Sequence, residues 1–420
     1  MSVAASSGRT VIIVGASTRA AAFSALRAGL APYCLDLFAD ADLTARLPCQ
    51  RLAAPDYPHR LADYLADLPP APWLYTGALE NHPDLIARIA QTRPLWGIGP
   101  PTLACVRQPW LLAERLGHAG IAFPRTYSTP DQLDPHRPWL QKPLASAGGL
   151  NIRFWDGQRP PNPQQWAWQE YIAGQPLSLF FVGLPDAPPL FLGATHMLVG
   201  LPDLAAGPFR YCGSIGPIPL DPPRYAQALH IGQTLAAIPG MLGLFGVDCI
   251  DHDGQLVVVE VNPRITAAAE VLEYAQPIST LALHARAFGV ELPGATHALD
   301  RNHLATHALD RNHLAIGAHD RTGPPRRDDD PPVVVGKAIL VARDRFRFPA
   351  SGPWTEALAR TADPFSRPDY ADIPHPGTLI ERGWPILTIF ATASSVAACQ
   401  AQLLAQAHAL ERWFGSESSV

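Results

Sequence analysis

Short apolar runs closed by glycine or proline set the rhythm of this chain. Val11–Val14 is an unbroken run ending at Gly15, an alanine-rich amphipathic stretch continues to Gly29, and Y-C-L-D-L-F follows at 33–38. A strand, a glycine turn, a helix and a second strand are predicted, which opens a βαβ unit. Gly15-Ala-Ser-Thr-Arg19 lacks the rest of a G-x-G-x-x-G fingerprint, so it reads as a tight structural turn ahead of a cofactor loop. Strand-like W-L-Y-T-G (73–77) and helix-like N-H-P-D-L-I-A-R-I-A (81–90) carry the unit to a proline–glycine boundary at 97–101. Glu80, Asn81 and His82 either belong to a substrate pocket or cap the helix that starts near Pro83, and capping is the role expected of Asn81.

Beyond Pro101 the pattern changes. A helix is predicted at 103–119, strands at 139–143, 168–172, 177–184 and 190–195, a helix at 224–237 and a hairpin at 244–262. Interspersed strands and helices of this kind give an α+β arrangement. Tyr211, Cys212 and Ser214 fall in what reads as a glycine-rich loop that faces an acceptor. A-T-H-A-L-D-R-N-H-L at 295–304 recurs at 305–314, and two copies followed by T-G-P-P-R-R-D-D-D-P-P read as an insertion in an exposed linker, its four histidines solvated. The last segment has strands at 333–341 and 385–391, a turn-like 371–376 and a helix at 395–414, which predicts a small β-rich third unit.

Composition narrows the class. With 420 residues, 47% of them apolar, the chain can bury several cores, and two or three domains are expected. Only 16% of residues are charged and the net charge is −5, so no basic field exists to attract a nucleic-acid backbone. Six cysteines without a C-x-x-C pair argue against a zinc site or a disulfide framework. No apolar run approaches the eighteen or so residues of a membrane span, and the first run is too short for a secretory leader; a soluble cytoplasmic protein is expected. Of 32 basic residues only Lys142 and Lys337 are lysine. In so arginine-rich a chain, a retained lysine hints at a need for a compact ammonium.

The strongest chemical signal is G-L-F-G-V-D-C-I-D-H-D-G-Q-L-V-V-V-E-V-N-P-R, residues 243–264. Asp253-Gly254 marks a turn. With the turn centred on Gly254, Asp248 faces Glu260, and Asn262 shares Glu260's face of the strand. Two carboxylates and a carboxamide thus converge on a ribbon whose valines imply cover on both faces, where unpaired acids are costly. Such hard oxygen ligands suit Mg²⁺, with Mn²⁺ as a substitute. Lys142-Pro143 leads into Ser146-Ala-Gly148-Gly149, an ammonium followed by a small-residue loop whose N–H groups can approach phosphate. W-Q-E-Y-I-A-G (168–174) is an extended segment able to offer main-chain hydrogen bonds to an adenine edge, with Glu170 near the base or ribose.

Lys142 with its glycine loop, then Q-E-Y-I, then Asp248, Glu260 and N-P-R, in that order, resembles the ATP-grasp superfamily. Y-T-G-A-L-E-N-H-P (75–83) and the tail resemble the predicted ATP-dependent carboligases related to biotin carboxylase, including those similar to tyramine–glutamate ligases of methanofuran and one-carbon coenzyme synthesis. The resemblance implies an α/β plus α+β protein. Its parts would be a Rossmann-like pre-ATP-grasp domain at 1–98, an ATP-grasp domain at 99–290, the linker at 291–332 and a biotin-carboxylase-like β-rich domain at 333–420. It implies that Lys142 and Arg107 contact ATP phosphates, that Ser146, Gly148 and Gly149 form a lid, and that Gln169, Glu170, Tyr171 and Ile172 line the adenine pocket. Asp248, Glu260 and Asn262 would hold Mg²⁺, and Arg264 would clamp a carboxylate or its acyl phosphate. The acidic ribose contact of the family has no counterpart at Pro176–Leu179. The expected partners are a small-molecule carboxylate and an amine, with no nucleic acid or membrane; relatives of this kind are often homodimers. Activation of bicarbonate by a carboxylase and a non-catalytic nucleotide-binding module are the alternatives.

Overall fold

A computed structural model describes residues 9–292, 333–360 and 364–417. The duplicated decamer, inside the linker expected at 291–332, lies outside the described residues.

Four parallel strands open the fold, in the order Cys49–Arg51, Ala31–Asp36, Thr10–Gly15, Trp73–Tyr75. Thr10–Gly15 is interior, and Val11, Ile12, Ile13 and Val14 are all buried, as expected of a strand covered on both faces. A Cβ on Gly15 would lie 1.8 Å from Thr76 Oγ1, so close strand approach explains that glycine. Asp36 accepts hydrogen bonds from the Thr18 N–H (2.6 Å) and hydroxyl (2.7 Å), tying the turn to the next strand.

The single helix expected at 103–119 is two, Pro100–Arg107 and Pro109–His118. Pro109 has no N–H and pushes Gln108 out of helical geometry (φ −92°, ψ 106°), which leaves Arg107 at the end of the first helix. A four-stranded antiparallel sheet follows, ordered Thr126–Tyr127, Trp166–Glu170, Trp139–Pro143, Arg153–Phe154.

The largest sheet has eight strands in the order Gln255–Asn262, Gly243–His252, Gln175–Leu184, Ala187–Val199, Tyr211–Ile218, Val334–Val341, Pro385–Ala393, Tyr370–Ala371. Its last three strands come from the C-terminal segment, so that segment continues the same sheet. Period-two alternation sorts its faces. Leu179, Phe181 and Val247 share a core with helix Pro222–Ala236, while Phe180, Val182 and Leu244 share one with helices Ala267–Ala275 and Thr280–Ala287. Tyr211–Ile218 is a strand, correcting the loop expected there, and Gly213 is needed because a Cβ would come within 2.3 Å of the Lys337 carbonyl. Among the described residues no helix is long and apolar enough to cross a membrane.

Candidate active site

The hairpin brings Asp248 opposite Glu260. The route differs from the expected one: the turn is the two-residue Asp253-Gly254, both at positive φ (50° and 91°), and His252 pairs with Gln255. That alone would set Asp248 against Val259. A register shift between Asp248 and Cys249 leaves Val259 unpaired as a bulge and restores the Asp248–Glu260 pair.

Asp248 Oδ2 accepts a hydrogen bond from Asn262 Nδ2 at 2.9 Å. Burial, and then the neighbouring Glu260 charge, push the Asp248 carboxyl up to about 6. Burial also opposes ionisation of Glu260, but Arg107, Lys142 and Arg264 outweigh it and hold that group below the usual range. Arg107 Nη1 donates to Glu260 Oε1 at 2.6 Å. Arg264 is engaged on all sides, donating to Glu80 Oε1 (2.7 Å), the Ile265 carbonyl (3.2 Å) and Asn262 Oδ1 (3.1 Å). Gly77 leaves room for it, since a Cβ there would meet the Arg264 guanidinium carbon at 3.3 Å.

From the smaller sheet, Lys142 reaches across to the hairpin. Its Nζ lies 2.9 Å from Gln169 Oε1 and 3.5 Å from the Val259 carbonyl, and among the described residues it forms no ion pair. Burial lowers its pKa from the ordinary lysine range. Between the two sheets lies a cavity of about 250 Å³. Of the site residues expected from the sequence, Lys142, Gly148, Gly149, Gln169, Glu170, Tyr171, Ile172, Asp248, Glu260, Asn262 and Arg264 line it. Arg107 and Ser146 stand behind the wall: the Ser146 carbonyl accepts from Arg107 Nη2 and Asn81 Nδ2, each at 3.2 Å. The glycine loop is seated, with Gly148 and Gly149 at positive φ and the Gly148 carbonyl accepting from the Tyr211 N–H at 3.0 Å. Glu170 is paired with Arg137 and lies 3.9 Å from Arg125 Nε.

Ser178, Met197, Val199 and Phe209 also line the cavity, and the sequence does not single them out. Tyr211 and Ser214, expected to face an acceptor, line it too, with their hydroxyls 2.8 Å apart. Cys212 points instead into the core shared with the C-terminal strands. Asn81 is not a helix cap: the residue before Pro83 in capping position is His82, and Asn81 Oδ1 accepts from Arg107 Nη2 at 3.0 Å. Alternation within 175–184 and 187–199 was the available signal for Ser178, Met197 and Val199. Nothing local marked Asn81 as a partner of Arg107.

The residues fit a small hard cation. Among the described residues no three His, Cys, Asp or Glu side chains gather as a metal-binding group, so the protein's share would be two carboxylates and one amide, leaving sites for water and phosphate. Asp248 is a buried carboxyl with no cationic partner within ion-pair distance among the described residues, and a cation would relieve its repulsion with Glu260. The Asn262 oxygen now faces Arg264, so its amide would have to turn to join them.

Residues 106–268 match the family model described as an ATP-grasp domain. No curated protein matches the chain. Solved structures of similar fold include L-amino acid ligase from Bacillus licheniformis (TM-score 0.63, 15% identity, covering 94% of this chain and 96% of that one). Another is carboxyaminoimidazole ribonucleotide synthase from Aspergillus clavatus, complexed with ATP (0.61, 14%, 95% and 98%). A third is the biotin carboxylase domain of 2-oxoglutarate carboxylase from Hydrogenobacter thermophilus, with MgADP and bicarbonate (0.63, 12%, 92% and 86%). At these identities the likeness is one of fold. The chain thus carries an ATP-grasp domain at residues 106–268 and shares the fold of these three solved structures along nearly its whole length.

Proposed function

We propose that the protein is an ATP- and Mg²⁺-dependent carboxylate–amine ligase. The observation that carries this reading is the facing of Lys142, buried without an ion pair, and the Asp248–Glu260 pair across one cavity in an ATP-grasp domain. A partly buried ammonium without an ion pair, facing both an Asp248 carboxyl bonded by the Asn262 amide and a Glu260 carboxylate held by Arg107, forms a place for a phosphate chain and its metal. Gln169 to Ile172 edge the same cavity, where an adenine would lie against main chain.

In this reading a substrate carboxylate oxygen bonds to the γ-phosphorus of ATP as ADP leaves. An amine nitrogen then bonds to the acyl carbon, and phosphate departs with the electron pair of the broken C–O bond. Lys142 and Arg107 would hold and neutralise the phosphoryl oxygens, and Arg264 would orient the carboxylate. Asp248, Glu260 and Asn262 would hold Mg²⁺, which supplies charge neutralisation to the transferring phosphoryl group when bound. Positioning and electrostatics supply the catalysis. A role in one-carbon coenzyme synthesis rests on the resemblance of Tyr75–Pro83 alone.

ADP release, screened against carboxylates, amines and bicarbonate, tests the assignment. Release that requires both a carboxylate and an amine supports the ligase. Dependence on bicarbonate alone would support the carboxylase reading that the Hydrogenobacter neighbour suggests. Nucleotide binding without turnover would leave a binding module.

A further inference from the structure

A second cavity, of about 390 Å³, is lined by His59, Asn81, His82, Pro83, Asp84, Leu85 and Arg88. It is joined to the first through one short chain of contacts. Glu260, in the wall of the first cavity, accepts from Arg107 Nη1; Arg107 Nη2 donates to Asn81, in the wall of the second. The Ser146 carbonyl of the glycine loop accepts from both Arg107 and Asn81. Arg107 and Asn81 are hydrogen-bonded to each other directly as well as to the loop, so this bridge is what links the two walls.

Charge in the second cavity is of both signs and unspent. Asp84 and Arg88 stand four residues apart on helix Pro83–Ala90, a spacing at which opposite charges readily pair. Among the described residues neither forms an ion pair; Arg88 Nη2 donates only to the His59 carbonyl, at 3.3 Å. Arg60–Asp63 and Arg224–Asp221, three residues apart, do pair. The His59 and His82 rings meet edge-on at 5.8 Å, and burial, then the neighbouring His59, lower the His82 pKa against the pull of Glu80, which favours the neutral His82 ring.

From this arrangement we infer that the second cavity is the acceptor subsite and takes an amine that also bears a carboxylate, an amino-acid-like zwitterion, with Arg88 holding the carboxylate and Asp84 the ammonium before it enters. The inference rests on the ligase reading above and adds to it the class of the acceptor. Arg–carboxylate contacts are charge-assisted and geometrically selective, which is what an acceptor site needs to discriminate among amines.

Initial rates with ATP, Mg²⁺ and a panel of carboxylate donors would be measured with each proteinogenic amino acid as acceptor. Hydroxylamine serves as a nucleophile lacking any anionic handle. Arg88→Gln should lower kcat/KM for amino acids relative to hydroxylamine about tenfold, mainly through KM. Asp84→Asn should act in the same direction, and Arg115→Gln, an exposed arginine elsewhere, should leave the ratio unchanged. Both cavity side chains are exposed, so their replacement leaves the core intact. An unchanged ratio in Arg88→Gln, or a wild type that forms hydroxamates yet accepts no amino acid, would overturn this inference alone. A wild type that forms neither hydroxamate nor ADP would overturn the ligase reading, and this inference with it.

Discussion

Lys142 and Lys337, the two lysines of the chain, occupy two buried charge clusters built to opposite ends. Lys337 Nζ lies 2.9 Å from Glu270 Oε2, and Glu270 also receives both terminal nitrogens of Arg19, at 2.6 and 3.0 Å. Arg19 continues to Asp372 at 2.7 Å, and Asp42 accepts the Asp372 and Ile373 N–H groups. Burial works against the Glu270 carboxylate, yet Arg19 and Lys337 hold it far below its ordinary range. This cluster joins the N-terminal helices Arg19–Arg27 and Ala41–Thr44, helix Ala267–Ala275 and the C-terminal strands. Both of its cations are ion-paired and its Glu270 is fully matched, while burial pushes the Asp42 carboxyl up to about 7 against the pull of Arg19. Around Lys142 the cation is the unmatched partner: the ammonium has only neutral oxygens, and Arg107 Nε and Glu80 Oε2 are buried without partners. A matched cation marks a joint and an unmatched one a receptor, because the missing charge arrives with the ligand.

The sharpest break in that contrast comes from Lys142. Lys142→Met should reduce ADP formation about a thousandfold or more, since a transferring phosphoryl group loses a buried cation. The melting temperature should hold or rise, because a desolvated ammonium without an ion pair is a stability cost. A variant that unfolds, or one near wild-type activity, would place Lys142 in the same class as Lys337. Asp248→Asn and Glu260→Gln should cost activity on a similar scale and abolish the response of ADP release to added Mg²⁺, with the fold retained; near-normal rates in either would remove the metal assignment.

The Lys142 side of this contrast is legible in the sequence, though unevenly, and the Lys337 cluster is not. Apolar runs and turn residues place strands at 139–143 and 177–184 and a hairpin at 244–262, each within two residues of the observed elements, because local pattern decides buried strands. The Asp248–Glu260 pairing came from two offsetting departures, a two-residue turn and a bulge at Val259, and no pattern in V-V-V-E-V marks which valine bulges. Tyr211 and Ser214 read as loop because two glycines and a proline surround them. Their strand pairs on one side with Ala187–Val199 and on the other with Val334–Val341, more than a hundred residues later, and a local reading cannot see that second partner. Asn81 failed for the same reason: helix geometry suggested a cap, but its partners are Arg107 and Ser146.

A third buried titratable group sharpens the comparison without any charge. His284 Nδ1 accepts the Leu244 N–H at 3.0 Å and Nε2 donates to the Trp96 carbonyl at 3.1 Å, so the neutral ring is matched at both nitrogens. Burial pulls its pKa down to about 4, and the Trp96 carbonyl only partly offsets that. The folded pKa is below the unfolded value of about 6.5, so the unfolded chain binds the extra proton first. Stability from this group is full above pH ~6.5 and declines as pH falls toward 4, by about 3 kcal/mol in all. Thermal melts from pH 7.5 to 4.5 should show this slope in wild type and a shallower one in His284→Gln; equal slopes would mean that acid acts elsewhere.

The smallest expected effect returns to Lys337. Lys337→Met removes one of two cations from Glu270 but leaves the bidentate Arg19 contact, and methionine refills much of the space. The loss should therefore fall below that of stripping a buried charge of every partner, at about 2 kcal/mol in denaturant melts. Lys337 sits opposite Ser214 in the sheet, and Ser214 lines the cavity, so a fault in the joint could reach the site through one strand. If the cluster is only a joint, the variant loses stability while its KM for ATP stays near wild type at temperatures well below the melt. A variant of full stability and no activity would show that both lysines serve catalysis, and a saturated ion pair could then no longer be read as the sign of a joint.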